Sequence, residues 1–138
     1  MRVANNSDSG RVVRIGGGSA YFADSALGVP QLLAAGNLDY LIFDYLAEAS
    51  MGMFGRLRQA TPPVLFPPDF LTVHIGPHLH AIASQKIRVI ANAGALDPIG
   101  LARALEERIA AEGLSLTVAA VSGDELIDRA DAFRAGEH

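Results

Sequence analysis

Gly16-Gly17-Gly18-Ser19 is the first group in this chain whose residue types and spacing suggest chemistry. Successive glycines present backbone amides without intervening β-carbons, and beside a helix N-terminus such a run suits a phosphate or carboxylate. Three glycines also make a sharp turn with no ligand at all. Asp24, a few residues on, can join the ligand contacts or cap the next helix. A second group is Asp44, Tyr45 and Glu48, two carboxylates and a phenol close in sequence. Carboxylates so spaced serve as general acid and base, bind a sugar hydroxyl or hold a metal through water, and share one face if the turn is helical. Helix capping and a favourable dipole account for an acid in a first turn equally simply. A third group is Asn92, Gly94 and Asp97, in which Asp97 reads as an N-cap and Asn92 has no such local explanation.

Several familiar frames are absent. After Gly16 and Gly18, the third glycine of the dinucleotide-binding pattern falls at Tyr21, where a bulky side chain would separate helix and sheet. No lysine or arginine occurs between Arg14 and Arg56, so a phosphate in this half would rest on backbone amides. His74 and His78 have the four-residue spacing of two zinc ligands, with His80 beside them, but Gly76-Pro77 interrupts the helix this requires. Ile75 stands where a zinc peptidase keeps its glutamate, so surface or partly buried histidines are the simpler reading. Ser19, Ser25 and Ser50 lack the glycine frame of a hydrolase elbow.

The elements that must position these residues alternate. Arg11–Ile15 is a β-branched run that reads as the first strand, with the glycines as its turn. A helix carrying Leu27, Leu32 and Leu33 starts at Asp24-Ser25 and ends at Gly36-Asn37, with Pro30 at a first turn or a kink. Leu38–Phe43 is a continuous apolar run suited to a strand buried on both sides. A second helix spans Leu46–Ala60 and closes at Pro62-Pro63. Val64–Ser84 holds a helix start at Pro67-Pro68-Asp69 and an interruption at Gly76-Pro77; the long connection could lie over the ligand edge as a lid or simply pack. Ile87–Ala91 is the third strand, and Asp97, Pro98 and the spacing of Leu101, Leu105 and Ile109 define the clearest helix. Leu116–Val121 reads as a fourth strand and Ser122–Glu125 as the turn into a last helix. The expected fold is α/β, a three-layer Rossmann-like sandwich with a mainly parallel sheet of about four strands. Its strand-to-helix turns would all lie on the edge where open α/β sheets bind ligands.

With 138 residues, half of them hydrophobic, the chain has material for one packed core, expected over 11–138 behind a flexible tail at 1–10. The absence of cysteine excludes a disulfide scaffold and thiolate chemistry. A net charge of -4 argues against nucleic acid and anionic membrane surfaces as partners. The start has no apolar signal region and the apolar stretches are too short to span a bilayer, so a cytoplasmic protein is expected.

Arg14 to Ser19 with Asp24, Leu38 to Glu48, and Val89 to Gly94 with Pro98 together resemble the acyclic terpene utilisation family. The resemblance runs from about Arg11 to Asp128, and its most specific part is the block from Asp39 to Glu48. The matching residues are Gly16, Gly18, Ser19, Asp24, Asp44, Tyr45, Glu48, Asn92, Gly94 and Pro98; Ala95 and Asp97 depart from the family pattern, as do the histidines. The resemblance implies the N-terminal part of a longer cytoplasmic protein of terpene and branched-acid catabolism, where substrates travel as coenzyme A thioesters. It implies a pathway context rather than a reaction, and no cofactor follows from it. The expectation is therefore an anionic acyl or acyl-CoA ligand held by Gly16, Gly17, Gly18, Ser19, Asp24, Tyr45 and Gly94. Asp44, Glu48 and Asn92 would orient it or transfer protons. A non-catalytic interaction module, homo-oligomeric or paired with the remaining domain or a second subunit, is one alternative. A metal-dependent lyase or hydrolase is the other.

Overall fold

The structure is a computed structural model that describes residues 12–134 and 136; the expected tail lies outside the described residues. Three parallel strands, β1 (Ile15–Ser19), β2 (Tyr40–Phe43) and β3 (Arg88–Ala91), form a sheet in the order β1-β2-β3. Between them run α1 (Gly28–Ala35), α2 (Glu48–Leu57) and α3 (Leu79–Gln85); α4 (Pro98–Ala111) and the short α5 (Ala130–Arg134) follow. The chain is α/β, and among the described residues no helix is long and apolar enough to cross a membrane.

β1 takes in the glycines instead of ending before them. Gly16 and Gly18 point to the covered face, where the absence of β-carbons admits large neighbours. A β-carbon on Gly16 would lie 3.1 Å from Leu32 of α1, and one on Gly18 only 2.6 Å from the ring of Phe43. The glycines are thus read into the strand by packing rather than by turn chemistry.

Two consecutive crossovers in one direction, each right-handed, place their helices on the same side of the sheet. Val29 and Leu33 of α1, Leu41 and Phe43 of β2, and Leu79 and Ile82 of α3 accordingly form one core. Each fully buried side chain of this size contributes roughly 1.5–3 kcal/mol. The opposite face is uncovered: Ile42 and Ile90, paired in register, are 41% and 57% exposed, and Ile15 is 59% exposed. β2 therefore alternates and is not buried on both sides, which corrects the expectation of a sandwich covered on both faces.

Leu116–Val121 is the second correction, since it belongs to no strand. Leu114, Leu116 and Val118 turn toward the core at the two-residue period of a strand, yet the segment stands off from β3 across a groove of about 830 Å³. The long second crossover contains a π-helical turn (Phe70–Ile75) and a 3-10 turn (Gly76–His78) leading directly into α3. Phe70, Ile75, Leu79 and Ile82 are all buried, so this segment packs as core. α4 starts as its sequence demands: Asp97 Oδ1 accepts the Gly100 amide at 2.7 Å, with Pro98 in the first turn.

Candidate functional site

The carboxyl ends of the three strands are bonded into one polar edge. The Asp44 amide donates to the Ser19 carbonyl at 3.2 Å, joining the ends of β1 and β2. Beyond β3, the Asn92 side-chain amide donates to Asp44 Oδ1 at 2.8 Å, and its carbonyl accepts the Tyr45 amide at 2.6 Å. Asn92 thus uses both ends of its carboxamide to fasten the β2 exit, and it remains exposed. Gly94 follows where a β-carbon would stand 2.7 Å from Pro98, so its place is set by the approach of α4. Glu48 is exposed in the first turn of α2; because the helix begins only there, its spacing from Asp44 does not put the two carboxylates on one helical face.

Beside this edge, Gly17–Ala20, Asp24, Ser25 and Gly28 line a shallow groove of about 290 Å³. Gly28 opens α1 against the Gly18 carbonyl, which would lie 3.0 Å from any β-carbon placed there. Within the turn, Asp24 takes amides for itself: Oδ2 accepts Ala20 N–H at 3.0 Å and Oδ1 accepts Ser25 N–H at 2.6 Å. These two bonds hold the Asp24 carboxyl below the usual carboxylate range. An anion entering this groove therefore meets a resident carboxylate as well as glycine amides.

The second crossover brings in Asp69, read from the sequence only as part of a helix start, and His74, which is fully buried and not at the surface or partly buried as expected. Asp69 Oδ2 accepts the Ala23 amide at 2.6 Å and faces the Tyr45 hydroxyl at 3.5 Å. Tyr45 is fully buried, with Phe70 edge-on at 5.7 Å; burial first, and the Asp69 charge second, push its phenol well above the ordinary range, so it stays a neutral donor. His74 is 1% exposed, its ring centroid 6.0 Å from Phe43 and 6.1 Å from Tyr45, and Nε2 is 3.7 Å from Asp69 Oδ2. The i, i+4 histidine spacing pointed away from this cluster, because the π-helical turn that carries His74 inward has no sequence signature. His78 is partly buried, and His80 lies 3.2 Å from Glu112 at the surface. Among the described residues no three His, Asp or Glu side chains are grouped to hold a metal ion.

The strand ends thus gather Ser19, Asp24, Asp44, Tyr45 and Asn92, with Asp69 and His74 behind them, while Glu48 stands exposed in the first turn of α2. Comparison with known proteins finds no match among curated proteins or solved structures. The family model described as acyclic terpene utilisation family protein AtuA matches residues 13–138, which takes in both glycine-lined strand end and Asn92 turn. The chain belongs to the acyclic terpene utilisation family.

Proposed function

We propose that this chain binds a branched acyl compound, carried as its coenzyme A thioester, at the carboxyl ends of the strands. The observation that carries the reading is the larger groove. It is mainly apolar, runs between β3 and the segment 116–121, and reaches the strand ends at Asn92, Gly94 and Pro98. Such a shape takes a hydrocarbon along its length and a polar thioester at its end. Asp44 and Asn92 orient the polar end, and the glycine groove at Gly17–Ser19 receives a further polar group of the ligand. Membership of a terpene-utilisation family supports the choice of a branched acyl chain.

Calorimetric titration with coenzyme A and with acyl-CoA compounds of increasing chain length tests this reading. Affinity should rise with each methylene buried, by about 0.8 kcal/mol at most. Ala102→Phe, which fills the groove from α4, should abolish that increment. Equal affinity for coenzyme A and its acyl forms, or no binding at all, would remove the proposal.

The bare sheet face favours a second reading, an interaction module. Ile15, Ile42 and Ile90 form an apolar face next to the stacked pair Tyr40 and Arg88, whose guanidinium donates to the Tyr40 hydroxyl at 3.0 Å. An apolar sheet face of this kind is ordinarily covered by another layer.

A further inference from the structure

His74 is buried among aromatic rings, and neither ring nitrogen has a hydrogen-bond partner among the described residues. Leaving a buried polar group unpaired is unfavourable, so the position calls for an explanation beyond packing. Asp69 Oδ2 lies 3.7 Å from Nε2, too far for a hydrogen bond and close enough for an ion pair. That same oxygen holds the Ala23 amide at 2.6 Å and faces the Tyr45 hydroxyl. Ala23 lies in the turn whose residues Ala20, Asp24 and Ser25 wall the glycine groove. One carboxylate oxygen therefore stands between the groove wall and an imidazole that lacks a partner.

We propose that protonation of His74 draws the Asp69 carboxylate off the Ala23 amide and loosens the turn Ala20–Ser25, a proton-operated latch on the groove wall. Imidazole is the side chain that ordinarily changes charge between about pH 5 and 8. A buried imidazolium beside Phe43 and Tyr45 needs a counter-charge, and Asp69 supplies it with a shift of about an ångström from 3.7 Å toward a charge-assisted bond of about 2.8 Å. The groups facing His74 set the balance. Asp69 on its own segment and Asp24 in the turn are the carboxylates beside it, and Tyr45 remains neutral. His78, one turn along, stays the neutral partner: burial first and the His74 charge second lower its own affinity for a proton. Arg108 of α4 approaches the next turn at Gly76 with its charge paired to Glu112 at 2.7 Å. The latch acts on the turn itself and holds whether or not an acyl compound is the ligand.

An NMR pH titration of the full chain tests it, following the ring protons of His74 together with the Ala23 amide. The expected result is one shared midpoint, with the Ala23 amide moving toward the shift of a free amide and losing hydrogen-exchange protection several-fold on the acid side. In His74→Phe the Ala23 amide should stay protected through that range, and in Asp69→Asn His74 should titrate without moving it. An Ala23 amide that ignores His74, or that responds identically in His74→Phe, overturns the proposal. Should either variant fail to fold, agreement or disagreement of the two midpoints in the unaltered chain still decides.

Discussion

Gly17 and Gly18 are neighbours of the same type with opposite reasons to be glycine. Gly18 has the Phe43 ring where its β-carbon would be, whereas nothing lies within 4 Å of one on Gly17. Gly18→Ala should therefore cost about 1–3 kcal/mol in urea unfolding, as overpacking does, and Gly17→Ala about 0.5 kcal/mol or less. Asp24 gives a pH prediction. Its folded-state proton affinity is lowered by the Ala20 and Ser25 amides, so its contribution is present above the ordinary carboxylate value of 3.8 and is lost as pH falls through the lower folded value. Asp24→Asn should flatten the acid limb of the unfolding midpoint against pH while leaving its slope near neutrality unchanged. At this scale the sequence was legible where a side chain acts locally, as Asp97 does in capping α4. Asp69 reads there only as a helix start, and His74 as a surface or partly buried histidine, because their partners Ala23 and Tyr45 arrive from other elements.

Among the elements, β2 and α4 follow from sequence pattern to within a residue or two, because strong local signals bound them: Gly36-Asn37 before β2, and Asp97-Pro98 before α4. β1 was displaced because glycine reads as a turn, while its actual role is to admit Leu32 and Phe43. The segment Leu116–Val121 has the composition and alternation of a strand, but a strand is completed by a partner, and the groove separates it from β3. It is moored instead by the Leu114 amide on the Ile109 carbonyl and, farther on, by Arg58 to Glu125 at 2.7 Å. That guanidinium also holds the Glu125 carboxyl below its usual range. Hydrogen exchange should accordingly find the amides of 116–121 opening freely while those of Leu41–Phe43 are protected by orders of magnitude. Equal protection of the two segments would show that 116–121 is paired in solution and that the groove is closed.

The whole molecule is a singly wound α/β unit, and the monotonic strand order explains both its strengths and its exposed parts. One face of the sheet has a core, the other shows Ile15, Ile42 and Ile90, and the strand ends carry the polar edge. The two functional readings make distinct demands on these surfaces. Association through the bare face should appear in light scattering as a concentration-dependent rise in mass, which Ile42→Lys reverses with little effect on folding. Ligand binding at the strand ends should survive that substitution. The most direct measurement of the central claim is an amide NMR titration of the unaltered chain with a branched acyl-CoA. The account predicts shifts at Gly17–Ser25, at Asn92–Ala95 and along 116–121. Shifts confined to Ile15, Ile42 and Ile90, or no shifts at saturating ligand, would contradict it.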